Sequence, residues 1–357
     1  MHVGKKLLFV LAAAIAAAAA IFGSLSTSGG KAALKATKVA VVTDVGSLND
    51  KGFNSLSAAG LKRAEKKLGV EGRIYITQTA ADRQPNLTAA AQAGYPLVFG
   101  VGVLFAFGPL PTVAGAFPTT KFAGVDVAQG DMCGGKPVPS SCVNGAVKNV
   151  HGIQFAEQEA GCLVGNIAAL EMLREKKTTI SAVGAIPVPA IVRYIAGYKY
   201  CAQRVSNKIR VLVNYANDST FADQPKCKAT ALSQIARGSH AVFAVAGQCG
   251  LGALDAAKGR GMWGIGVDAD QFFLGNFMLT SALKRVDEAV FDTIKQYNAN
   301  PSGFKGGDQK LYNLKNNGVG YGRLSPKLPP SARKQITAST NALEKLIISG
   351  KVKPPKK

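Results

Sequence analysis

The stretch TDVGSLNDKGFN, residues 43–54, gathers two carboxylates, two amides and an aromatic ring around a glycine-containing turn. An ionised carboxylate only accepts hydrogen bonds. Asp44 and Asp50 therefore suit a ligand that donates them, and Phe53 offers a flat face on which such a ligand could lie. Asn54 closes the stretch and counts among the candidate contacts. From position alone Phe53 reads equally as a core aromatic anchoring the first turn of a helix. This chemistry is reversible holding, not bond making.

Covalent chemistry has weaker support. Ser281-Ala-Leu-Lys284 has the Ser-x-x-Lys spacing of penicillin-recognising enzymes. The Lys-Thr-Gly element those enzymes also need is missing, and the motif falls late in the chain. Gly264-Ile-Gly266-Val-Asp-Ala269 only loosely fits a dinucleotide fingerprint, because no long helix follows it directly. Gly-x-Ser-x-Gly, His-Glu-x-x-His and P-loop patterns are absent from the sequence. His2, His151 and His240 are the only histidines and lie far apart, so a histidine-rich metal site is not expected. The expectation is a binding protein with no catalytic residue, metal or cofactor.

The elements that must carry these residues alternate along the chain. The β-branched run 39–43 reads as a buried strand. Ser47-Leu-Asn-Asp50 has capping-box spacing, which predicts a helix starting there with Phe53, Leu56, Ala64 and Leu68 on one face. Strands are expected at 73–77, 97–101 and 121–125, and a helix at 87–93. The apolar run 104–117 is broken by Pro109 and Pro111. A second series starts with 149–155. It continues through helices 157–173, 190–205, 222–237 and 253–258 and strands 179–183, 210–215, 241–246 and 263–267. A short strand at 277–280 and a helix at 282–297 follow, then a loop-rich region and a segment at 330–348. Such alternation predicts α/β architecture with parallel, doubly wound sheets. Asp44, Asp126, Gly247 and Asp268 fall at strand ends. Each alone is an ordinary turn former; together they suggest polar groups gathered on a cleft between two lobes.

A length of 357 residues fits two domains. Lys5 and Lys6 precede an apolar block, 7–22, followed by small polar residues, so 1–36 reads as an export signal or N-terminal anchor with linker. No cysteine precedes Cys133, so no lipid-attachment cysteine follows that block. Six cysteines in an exported chain favour disulfides. Cys133 and Cys142, bracketing a Gly/Pro/Ser loop, are the first expected pair, and the other four leave three pairings open. The net charge of +22 is spread along the chain and not interleaved with aromatics, which favours anionic envelope polymers or simple solubility over nucleic acid. Residues 350–357 read as a frayed basic tail.

Several segments together resemble the basic membrane protein family of ABC-transporter substrate-binding proteins, similar to its purine nucleoside-binding members. They are VVTDVGSLNDKGFN, FAGVDV, QFAEQEAGCLVGNIAA, AVAGQCGLGALDAA, GVDADQ and LTSALKRVDEAV. The resemblance implies a type I periplasmic-binding-protein fold: two Rossmann-like lobes joined by a hinge with crossing strands. Lobe 1 would comprise 37–150 plus 269–304 and lobe 2 would comprise 151–268 plus 305–349. It further implies that Phe53 and Phe221 sandwich a base and that Asp44 and Asp126 read the purine edge. Asp268 and Lys284 would hold the ribose hydroxyls, where Gly247 permits close backbone approach. The implied partners are a nucleoside and an ABC transporter permease, with the protein a monomer in the periplasm or on the outer face of the membrane. The departures are the missing lipidation cysteine, Gly184-Ala-Ile-Pro-Val-Pro189 in place of a double glycine, and the extra cysteines. They leave room for an extracellular sensor or surface-adhesion module of the same fold that binds a sugar, flavin or signalling compound.

Overall fold

The computed structural model describes residues 36–357. The expected export segment lies, but for its last residue, outside them, and no helix among the described residues is long and apolar enough to cross a membrane. The chain opens with β1 (Lys38–Val45), α1 (Phe53–Leu68), β2 (Glu71–Thr77), α2 (Arg83–Gln92), β3 (Leu97–Val101), α3 (Pro109–Ala116) and β4 (Lys121–Val125). Then come α4 (Gln129–Cys133), the small hairpin β5 (Cys142–Val143) and β6 (Ala146–Val147), and β7 (Val150–Phe155). The second series is α5 (Glu157–Arg174), β8 (Thr179–Gly184), α6 (Pro189–Val205), β9 (Arg210–Tyr215), α7 (Gln224–Ala236), β10 (Ala241–Val245), α8 (Gly250–Gly259) and β11 (Trp263–Asp268). It closes with β12 (Met278–Lys284), α9 (Val286–Ala299), β13 (Gln309–Tyr312), β14 (Val319–Tyr321) and α10 (Pro330–Ile348).

Two six-stranded sheets result, ordered β13-β7-β4-β3-β1-β2 and β14-β12-β11-β10-β8-β9. Every pairing in them is parallel except β12 with β14. The inner strands read as continuous apolar runs because helices cover both faces; β3 and β10 are buried at every residue. This is the α/β, type I periplasmic-binding-protein architecture that the sequence suggested.

The exchange points between lobes differ from those expected. β7 pairs with β4 in the first sheet, β12 pairs with β11 in the second, and β13 returns to pair with β7. The chain therefore crosses after Phe155, after Lys284 and after Tyr312. Expected crossings at 150, 268 and 305 each fall one strand too early, because a strand's lobe is decided by its pairing partner, which is non-local. Two further corrections follow. The strand expected at 277–280 runs on to Lys284, so this residue sits at a strand end and not in a helix. The loop-rich region before 330 carries both β13 and β14.

Two local expectations also change. α1 starts at Phe53, not at Ser47. The Asp50 carboxylate caps it, with Oδ1 accepting from Gly52 and Ser55 N–H (3.0 Å each) and Oδ2 from Asn54 N–H (2.6 Å). At the other end of the chain, residues 350–357 do not simply fray: Val352 packs into the core, and its N–H donates to the Leu346 carbonyl at 3.1 Å.

Disulfides join Cys133–Cys142, as expected, together with Cys162–Cys201 and Cys227–Cys249. The second of these ties α5 to α6, which pack backbone against backbone. A Cβ at Gly161, Gly165 or Gly197 would overlap the carbonyl oxygen of Tyr194, Tyr198 or Gln158 respectively. Gly165→Ala should accordingly force the helices apart and lower stability by about 1–3 kcal/mol in urea unfolding. An unchanged midpoint would mean that this contact constrains nothing.

Candidate functional site

Parallel strands point their carboxyl ends at the space between the lobes, the usual ligand position in such sheets. A cleft there holds about 710 Å³ of empty space, part of it open to solvent. Asp44, Phe53, Asn54, Asp126, Phe221, Gly247, Asp268 and Lys284 all line it. Phe53 comes from lobe 1, as the first residue of α1. Phe221 comes from lobe 2, in the loop between β9 and α7, with φ of 58°. Gly247, with φ of +58°, follows β10, and a Cβ there would stand 3.2 Å from the Phe221 Cβ. Its bare face thus makes room for the Phe221 loop. Cys249 N–H donates to the Phe221 carbonyl at 2.9 Å, and the Cys227–Cys249 disulfide staples the same loops.

One pole of the cleft is built on Lys284. The side chain is almost wholly buried, and Nζ donates to Asp126 Oδ2 at 2.6 Å and lies 3.1 Å from Glu157 Oε1. Arg193 Nε binds the other Glu157 oxygen at 2.6 Å. Rings surround the ammonium, with the centroids of Phe155, Phe53 and Tyr194 at 4.9, 5.0 and 6.0 Å. Burial pulls the ammonium's pKa down, but Asp126, Glu157 and Asp268 outweigh it and raise the pKa, so Lys284 stays charged. Asp126 Oδ1 is buried without a hydrogen-bond partner among the described residues. Asp268 accepts from the Tyr194 hydroxyl at 3.3 Å, and burial pushes its carboxyl up to about 7.

The other pole is built on Asp44, whose Oδ1 receives Val45 N–H (2.7 Å) and Arg83 Nε (2.8 Å). Burial raises the Asp44 pKa and Arg83 opposes that rise. Asn54 lines the wall, but its side chain is committed within the protein. Oδ1 accepts from Asp44 N–H at 3.2 Å, and Nδ2 donates to the Asp44 carbonyl at 3.3 Å. Asp50 is similarly committed to the α1 cap.

The lobes also touch directly. Ser47 N–H and hydroxyl reach Gln248 Oε1 at 3.4 Å, and Gln271 Nε2 donates to the Lys51 carbonyl at 3.1 Å. The Ser-x-x-Lys pair, by contrast, does not form a nucleophile site. Residues three apart on β12 face opposite ways, and Ser281 Oγ accepts from Gln271 N–H at 3.1 Å. Among the described residues, no group of His, Cys, Asp and Glu is arranged to hold a metal.

Sequence reasoning missed Arg83, Glu157, Arg193 and Tyr194. Glu157 could have been found, since it follows the strand end at Phe155 as Asp126 follows Val125. The other three carry no local signal.

A family model described as "ABC transporter substrate-binding protein PnrA-like" matches residues 37–357. The chain is 30% identical to a Lactococcus lactis protein named ABC transporter nucleoside-binding protein BmpA, over 99% of each chain. It is 33% identical to an uncharacterized lipoprotein of Pyrococcus abyssi, over 82% of this chain and 70% of that one. A solute-binding protein of an ABC transporter system from Aeropyrum pernix superposes with a TM-score of 0.74 at 29% identity, covering 90% of this chain and 94% of the other. One from Conexibacter woesei, at 22% identity and a TM-score of 0.65 over 90% and 99% of the two chains, shares the fold.

Asp268 generates a pH prediction. The folded protein keeps a proton on this carboxyl up to about pH 7, whereas the unfolded chain releases it near about 4. More protons on the folded state make stability fall as pH rises across that window. Urea unfolding at a series of pH values should show a shallower fall in Asp268→Asn than in the parent, and equal slopes would place the titration elsewhere.

Proposed function

The chain belongs to the Bmp family of ABC-transporter substrate-binding proteins, and from that premise we propose that it binds a purine nucleoside in the cleft and delivers it to a membrane permease. The observation that carries this reading is the pairing of Phe53 from one lobe with Phe221 from the other on the wall of a single cavity. Stacking on aromatic side chains contributes about 1–3 kcal/mol per base. Asp44 and Asp126 each leave one carboxylate oxygen for the donor edge of the base, while Asp268 and Lys284 take the ribose hydroxyls. Lys284 donates one N–H to Asp126 and stands 3.1 Å from Glu157 as an ion pair; an ammonium carries three donors, so an N–H is left for a ligand oxygen.

The balance of charge favours a neutral ligand. Asp44, Asp126 and Glu157 match Arg83, Arg193 and Lys284 in number around the cleft, Asp268 keeps its proton up to about pH 7, and every one of these bases is already paired or flanked by an acid. A phosphate would meet no free cation there and several acids, so nucleosides should be preferred to nucleotides. Binding is reversible, and the crossings after Phe155, Lys284 and Tyr312 supply the hinge about which the lobes open and close. The apolar N-terminal block and the three disulfides favour work outside the cytoplasm. The protein acts as an exported monomer.

Calorimetry with adenosine, guanosine, inosine, ribose, riboflavin and AMP tests the reading. A purine nucleoside should bind, AMP should bind at least about tenfold more weakly, and Phe53→Ala should cost at least about tenfold, or roughly 1.4 kcal/mol. Tight riboflavin or ribose binding with none of the nucleosides would overturn it.

A further inference from the structure

Asp44 is held in a way that decides what it can recognise. Its Oδ1 is saturated: Val45 N–H donates at 2.7 Å, Arg83 Nε at 2.8 Å, and Arg83 Nη2 stands at 2.6 Å. Its Oδ2 has no hydrogen bond among the described residues. That oxygen lies against Gly102, another lining residue of the cleft, where a Cβ would overlap it, so the glycine keeps the approach clear. Arg83 is only 6% exposed, and Asp44 is its sole ion-pair partner among the described residues. Burial raises the Asp44 pKa, and the buried guanidinium gripping one of its oxygens opposes that rise, since protonating the carboxylate would strand the cation. Ionised, it accepts and cannot donate. The neighbouring amide cannot compensate, because both polar atoms of Asn54 are spent on the Asp44 and Val45 backbone. The Asp44 and Asn54 side chains at this pole therefore present an acceptor and no donor.

We propose that Arg83 is the specificity-determining positioning residue of the site: by holding Asp44 through Oδ1 and leaving Oδ2 to the cleft, it selects nucleosides whose six-membered ring carries an N–H donor. Inosine and guanosine present a ring N–H. Purine riboside presents only ring nitrogens that accept, and these would face a carboxylate oxygen. The inference rests on the nucleoside reading above and adds to it a rule for the base. Arg83 itself touches no ligand; it acts through Asp44.

Calorimetry on the full chain, parent against Arg83→Met and Arg83→Lys, with inosine, guanosine and purine riboside, tests the rule. The parent should bind inosine and guanosine at least about tenfold tighter than purine riboside, the scale of one charge-assisted hydrogen bond. Arg83→Met should lose most of that ratio while keeping its purine riboside affinity, and Arg83→Lys should recover part of it. A merely structural role would weaken all three ligands together and leave the ratio intact. Should Arg83→Met fail to fold, the ratio in Arg83→Lys decides, because a lysine makes a single point contact and should still reduce it. An undiminished ratio in a folded variant, or no discrimination by the parent, overturns the role of Arg83 with nucleoside binding untouched. Absence of binding to every nucleoside overturns the underlying function instead, and this inference with it.

Discussion

A buried ammonium is the constraint on which the centre of this molecule depends. Lys284 is 1% exposed, and taking such a charge out of water costs several kcal/mol unless acids meet it with good geometry. Asp126 comes from the end of β4 in one lobe, and Glu157 from the head of α5, just past the first crossing. Asp126 and Lys284 belong to different lobes, so their 2.6 Å contact ties the two sheets together beside a crossing. Glu157 in turn needs Arg193 on α6, which explains the close fixing of α5 and α6 by backbone contact and a disulfide. A register slip between these helices would separate Glu157 from Arg193 and leave a charge uncompensated.

The two lobes repeat one plan. Read strand by strand, β4 in the first sheet corresponds to β11 in the second, and β3 corresponds to β10. Asp126 and Asp268 follow or close the corresponding strands, both with left-handed backbone, at φ of 62° and 64°. Gly102 and Gly247 follow the other pair, also at positive φ. Aspartate and glycine tolerate this conformation better than most residues. It turns the chain sharply at the strand end and leaves a carboxylate or an open backbone on the cleft. The same local solution thus arms both walls, and the differences between the lobes decide what each carboxylate does. Burial raises both carboxyls; Asp126 meets a lysine that opposes the rise through a direct hydrogen bond, whereas Asp268 has the Tyr194 hydroxyl as its hydrogen-bond partner and is pushed up to about 7.

The charge distribution is divided by depth. Over its whole length the chain carries +22, yet the cleft is rich in acceptors. A basic exterior suits retention at an anionic envelope, while an acceptor-rich interior suits a neutral, hydroxyl- and N–H-bearing ligand. Neither property imposes the other, because buried charges are governed by their immediate partners and surface charges are screened over about 8–10 Å.

The sequence by itself determined the alternating strands and helices, the paired-lobe architecture, and the residues at strand ends. Asp44, Phe53, Asp126, Gly247 and Asp268 were legible because a strand terminus and its turn are local: backbone conformation and the next few side chains settle them. Lys284 was found by resemblance but misplaced on a helix, since an apolar strand running directly into a helical pattern has no boundary visible in its periodicity. Only the tertiary structure decided the crossings, the last two disulfides, and the partners of the buried charges. Arg83 lies 39 residues from Asp44, and Lys284 lies 158 from Asp126. No pattern along the chain joins such pairs. A buried charge is neutralised by whatever stands beside it in space, and that neighbour is chosen when the sheets assemble.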